Sequence, residues 1–258
     1  IRDTLDKDNS RQIIVRLRES GIVEAHGKIN KQFRFVDTKV THITIGSRST
    51  TGILPIKWPL GIENYVNIFP GNLIVIAGAP NAGKTAFLLN FIFLNQGQYP
   101  NMIKYFCSEM GEDGSELTDR LSKFEGMDIE KDWHFDPVER SKNFQDVLVP
   151  DYINIVDFLE ITENLFLVND ILTAISHRVG SGIAIVALQK KVNAIFGRGQ
   201  EFGLEKPKLY LSMDKGRMTI VKGKSWVHKN ADPNGLRVEY HITDGCQFKI
   251  TKQWERPG

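Results

Sequence analysis

The chain has 258 residues, with 33 Lys and Arg against 31 Asp and Glu, for a formal net charge of +2. That balance neither requires nor excludes nucleic acid, so the placement of charge matters more than its sum. Residues 11–34 and 187–224 are rich in Lys and Arg, and 108–139 in acids. No apolar run approaches the roughly 20 residues that cross a bilayer, which argues against a membrane partner. Two cysteines, Cys107 and Cys246, make neither a disulfide framework nor a metal cluster, so a reducing, cytoplasmic compartment is the expectation. The chain opens on Ile1 rather than Met, so more sequence upstream is expected.

Residues 1–38 read as a small unit. Asn9 or Ser10 can cap a helix, Ile13, Ile14 and Leu17 supply its apolar face, and Gly21 is a good stop. Ile22–Ala25 and Gln32–Val36 follow as two strands. A helix followed by a two-stranded ribbon resembles the end of a winged helix-turn-helix domain, with Arg11, Arg16 and Arg18 on the polar face as DNA-contact candidates. The alternative is a scrap that packs on the main domain or binds protein. Residues 39–57 are rich in Thr, Ser, Gly and Pro and read as a linker.

From residue 58 onward, strands and helices alternate. Asn72–Ala77 predicts a strand, Thr85–Gln96 a helix, Met102–Cys107 a strand and Ser115–Phe124 a helix. Residues 125–150 read as irregular. Tyr152–Asp157, Asn169–Val179 and Ile183–Leu188 continue the alternation, which implies a mostly parallel sheet covered by helices. Leu209–Met213, Met218–Lys222, Leu236–Ile242 and Gln247–Gln253 then predict antiparallel hairpins, with Asp244-Gly245 as a turn.

Gly78-Ala79-Pro80-Asn81-Ala82-Gly83-Lys84-Thr85 fits G-x-x-x-x-G-K-[ST] at each fixed position. A strand precedes it and a helix continues through Ala86, as a phosphate cradle requires. Glycines let backbone N–H groups turn inward, and the helix N-terminus adds partial positive charge. Residues Gly78 to Ala86 are therefore the candidate site for ATP. Lys84 would neutralise the β- and γ-phosphates, and the Thr85 hydroxyl would ligate Mg²⁺. Asn154-Ile155-Val156-Asp157 is an apolar run ending in an acid, which suits Asp157 to hold the magnesium through water. Glu109, in Ser108-Glu109-Met110, follows a strand expected to neighbour the phosphate-loop strand, where it could orient or deprotonate the attacking water. Gln189, in Leu188-Gln189-Lys190-Lys191, could sense the γ-phosphate.

Together these motifs resemble the RecA-like P-loop ATPases, and within them the replicative helicases of the DnaB type. Gly61-Ile62-Glu63 with Pro70-Gly71-Asn72 is similar to the approach to their P-loop, and Ala187-Leu188-Gln189 to their sensor strand. Lys222-Gly223-Lys224 resembles their Lys-x-Arg element, which reaches a neighbouring subunit's ATP. The resemblance covers residues 58–255 and implies an α/β RecA-like domain, a homo-oligomer such as a hexamer, and DNA as a partner, single-stranded for the ATPase loop. Lys224 stands where arginine is usual, and lysine lacks the planar fork, so Arg217 or Arg198 could serve instead. The resemblance also implies that the loop Lys190 to Pro207 faces a central channel, with Lys190, Lys191 and Arg198 on phosphates, Phe196 for stacking, and Gly197 and Gly199 for mobility.

These expectations favour an ATP-hydrolysing DNA motor working as a ring or filament. An ATP-switched winged-helix loading factor of a plasmid, phage or mobile element is the second reading. A metabolic P-loop kinase is the third, and it fits less well because no lid with paired arginines is evident.

Overall fold

A computed structural model describes residues 2–25, 32–36, 52–108, 110, 114–159 and 167–257. The chain divides into two compact units, Ile1–Ser49 and Thr50–Gly258.

In the first unit α1 (Arg2–Glu19) leads into an antiparallel pair, β1 (Val23–Ala25) and β2 (Phe33–Phe35). Gly21, at φ 70°, ends the helix as expected. Asn9 and Ser10 do not begin it. Both are exposed inside α1, where a poor helix former costs only a fraction of a kcal/mol, up to about 0.7. Ile13 faces solvent instead of a core, at 55% exposure, and Arg18 lies 6.0 Å from the centre of the Phe33 ring. At about 100° per residue, Arg11 and Arg18 share one side of the helix while Arg16 is turned about 140° away, so the three do not form the single polar face expected.

The second unit is built on a nine-stranded sheet. Its strands are β3 (Leu73–Gly78), β4 (Ile103–Cys107), β5 (Asp136–Glu139), β6 (Ile153–Leu159), β7 (Ile183–Gln189), β8 (Leu209–Asp214), β9 (Arg217–Gly223), β10 (Arg237–Thr243) and β11 (Gln247–Glu255). The order is β11-β10-β9-β8-β3-β7-β6-β4-β5. From β8 to β5 every pairing is parallel, and β9 to β11 add antiparallel hairpins at one edge.

Alternation along β3 divides the core. Ile74 and Ile76 point toward α2 (Lys84–Asn95), which is apolar on most sides and buries Phe87, Leu88, Phe91 and Ile92. Leu73, Val75 and Ala77 point to the other face, where α4 (Leu167–Ser176) buries Val168, Leu172 and Ile175. A third helix, α3 (Ser115–Leu121), follows β4.

Two expectations change here. The described end of the expected linker belongs to this unit. Ile56 is 4% exposed in the core, and buried Asn95 clasps Lys57 through both its amide groups, at 2.9 and 2.7 Å. Residues 39–51 of that linker lie outside the described residues. Second, β4 is not a neighbour of the phosphate-loop strand, because β7 and β6 lie between β3 and β4.

Candidate functional site

β3 lies where the chain order of the parallel sheet reverses, the place at which open α/β sheets form a crevice beyond their carboxyl ends. The loop Gly78 to Thr85 occupies that crevice. Gly78 and Gly83 are fixed by space: a Cβ on Gly78 would stand 2.4 Å from Cγ of Lys84, and one on Gly83, whose φ is 93°, 2.4 Å from Cδ1 of Ile242. The loop is anchored from three strands. The Ala79 N–H donates to Met213 O at 3.0 Å, the Lys190 N–H to Gly78 O at 3.0 Å, and the Tyr240 hydroxyl to Ala82 O at 3.3 Å. Lys84 folds back over the cradle, its ammonium 3.2 Å from both Gly78 O and Ala79 O.

Asp157, near the end of β6, meets this loop. It is 5% exposed, accepts the Tyr105 hydroxyl at 2.7 Å, and lines the same cleft as Thr85. Burial pushes its carboxyl above the ordinary range, against the pull of the nearby Tyr105 and Thr85 hydroxyls and of the Lys84 and Arg120 charges. Burial, then Asp157 and Glu139, also push the adjacent Cys107 thiol up to about 11, which keeps it protonated. Gln189 closes the third side, paired in register with Gly78. The cleft these groups enclose measures about 620 Å³ and is also lined by Pro80, Asn81, Phe158 and Gly245.

These residues fit Mg²⁺ with a phosphate chain. A buried acid and a hydroxyl line one cleft with an ammonium and a glycine cradle that a Cβ would crowd. Arg120 on α3 lines the same cleft and was missed from the sequence. Its one signal was a lone arginine between buried Leu117 and Leu121 in an acid-rich stretch. Glu109 lies outside the described residues.

The loop after β7 departs from expectation. Lys190 does not face solvent. Its side chain is fully buried, with the ammonium 2.6 Å from Asp214 and 2.6 Å from Ala194 O, so it is committed to the interior and not to DNA. Gly197 supplies close packing, not mobility: its N–H donates to the Tyr210 hydroxyl at 2.8 Å, and a Cβ there would lie 3.0 Å from Leu188 Cβ. Phe196 packs edge-on against Tyr210. Lys191, Val192, Ile195 and Arg198 remain on the surface.

Lys224 lies far from this cleft. Gly78 pairs with Met213, whereas Gly223 pairs with Leu209, about 13 Å down the strands at the opposite end of the sheet. There Lys208, Lys222 and Lys224 gather. Burial lowers the Lys222 pKa, and the charges of Lys224 and Lys208 lower it further. Arg217, the alternative partner, is tied to Asp214 at 3.2 Å.

The chain resembles, over 76% of its length and 99% of the other's, a KaiC-like protein from the hyperthermophilic archaeon Pyrococcus horikoshii, at TM-score 0.53 and 16% identity. The fold is RecA-like. No protein-family model matches the sequence, and no curated protein does. The likeness at this identity reaches no further than the fold. No described helix is long and apolar enough to cross a membrane.

Proposed function

We propose that this chain hydrolyses ATP as a DNA-associated, helicase-like motor that assembles with ATP sites between copies. The convergence of Lys84, Thr85 and Asp157 on one cleft carries the ATPase part of this reading. Backbone N–H groups of Asn81, Gly83 and the start of α2 hold the phosphates. Lys84 turns from its own carbonyls to the β- and γ-phosphates. Thr85 and Asp157 hold Mg²⁺, which when bound neutralises phosphate charge as the leaving oxygen develops. Glu109, one residue beyond Ser108, orients the attacking water, and Gln189 hydrogen-bonds the γ-phosphate. Water attacks in line, giving ADP and inorganic phosphate.

Assembly is supported by distance. The Lys208–Lys222–Lys224 cluster stands at the end of the sheet away from its own cradle, so it meets an ATP phosphate only in another copy. DNA is supported by exposed Lys191 and Arg198 beside the sensor strand. The second reading, an ATP-switched loading factor, is favoured by one observation, the compact helix-and-ribbon unit Ile1–Ser49.

Steady-state ATPase rates across protein concentration, with and without single-stranded and duplex DNA, test the proposal. A motor gives a rate per chain that rises steeply with concentration and is stimulated by single strands. A slow rate indifferent to both removes the motor and leaves the switch.

A further inference from the structure

We propose that Tyr105 is a positioning residue for the magnesium site, fixing through its hydroxyl which oxygen of Asp157 remains for the metal's water shell. This rests on the ATPase reading above.

Tyr105 and Asp157 belong to adjacent parallel strands. Cys107 pairs with Asp157 in register and Tyr105 with Ile155, so the tyrosine stands two residues lower on the same face and its ring points up toward the carboxylate. The hydroxyl donates to Oδ2 of Asp157 at 2.7 Å. The ring has little freedom. Tyr105 is fully buried and meets Phe135 edge-on at 6.0 Å, and Phe135 in turn meets Trp133. Core packing alone would be served by phenylalanine. A buried phenol costs free energy unless it is hydrogen-bonded, and its bond here is to the buried acid of the cleft. Burial, then the Asp157 charge, hold the phenol far above its ordinary pKa, so it acts only as a donor to that acid.

The donor does two things. It compensates a carboxylate otherwise desolvated among apolar strands, and it locks the carboxylate's rotation. Thr85 lines the same cleft as Asp157, yet the Thr85 oxygen is itself a metal ligand in the proposed site. Tyr105 is therefore the support that belongs to the framework and not to the ligand set. Outer partners of metal-binding carboxylates typically change metal affinity by about 10–100-fold when removed.

The test is a Mg²⁺ titration of fluorescent ATP-analogue binding to the full chain, for wild type and Tyr105→Phe, together with binding in EDTA and a thermal melt. The expected result is a Mg²⁺ midpoint about tenfold higher or more in Tyr105→Phe, with affinity in EDTA within about twofold of wild type. Phe135→Leu, which loosens the ring but leaves the hydroxyl, should lower the melting temperature and move the Mg²⁺ midpoint far less than Tyr105→Phe. Tyr105→Met supplies the same readout if the phenylalanine variant does not fold. An unchanged midpoint in a folded Tyr105 variant, or an equal shift in Phe135→Leu, overturns the inference. Absence of Mg²⁺-dependent binding in wild type would instead remove the ATPase reading on which it rests.

Discussion

The Lys190 ammonium sits 2.6 Å from the Asp214 carboxylate with its own side chain fully buried, which joins the end of β7 to the end of β8. Asp214 also accepts the Asn193 N–H at 3.1 Å, and its own carbonyl accepts the Tyr240 hydroxyl that reaches the cradle. Removing one partner strands a buried charge. Asp214→Asn should therefore destabilise the chain by about 3–5 kcal/mol, and adding Lys190→Met should recover much of that. Urea unfolding of the single and double variants measures both effects.

The same pair sets an acid limit. Burial alone would raise the Asp214 pKa, but hydrogen bonds from Lys190, Asn193 and Arg217 outweigh it and hold the carboxyl below its usual range. A depressed folded pKa stabilises the fold above the unfolded value and loses that contribution as pH falls through the folded one. Wild-type stability should thus decline from about pH 4 downward, and Asp214→Asn should lack this part of the decline. Urea midpoints measured between about pH 6 and pH 3 compare the two.

Gly83→Ala should damage the cradle for two separable reasons, the φ of 93° and the contact with Ile242. The backbone cost is about 1–3 kcal/mol and persists whatever the neighbour. Trimming the neighbour with Ile242→Ala should relieve crowding yet leave nucleotide binding impaired. Melting temperature and analogue affinity in the single and double variants separate the two terms.

Lys84→Ala and Lys224→Ala should each be inactive as ATPases when pure. Mixed in equal amounts, they should recover activity, because about a quarter of randomly formed interfaces would join an intact cradle to an intact Lys224. No recovery in a mixture shown to co-assemble would count against sites shared between copies.

Lys191→Ala with Arg198→Ala should weaken single-stranded DNA binding across sequences. Each cation neutralises one phosphate of a single strand and carries about 0.7 of the slope of log affinity against log salt, so the double variant should have a slope shallower by about 1.4. Fluorescence anisotropy at several salt concentrations reads the slope.

The cradle was legible because phosphate binding restricts residue type at its fixed positions: glycine at Gly78 and Gly83, lysine at Lys84, and a hydroxyl residue at Thr85. Strand and helix cores were legible from apolar runs, and most boundaries fell within about two residues, the usual ambiguity of element ends. What escaped depends on partners distant in sequence. β5 contains Pro137 and is mostly exposed, a composition that only an edge strand tolerates and that reads as loop. Lys190 reads as a surface cation until β8 brings Asp214 against it. The separation of β3 from β4 follows from crossovers that no local pattern records. Arg120 enters the cleft only because α3 folds back beside it.

On the proposal that ATP sites are shared between copies, the sheet would carry a socket at one end and a plug at the other. A lone copy would then hold two half-sites facing opposite ways. An open string of n copies linked plug to socket completes n − 1 sites, whereas a closed ring completes n. Ring closure would then add the last site without adding a chain, so turnover per chain would report whether the assembly has ends.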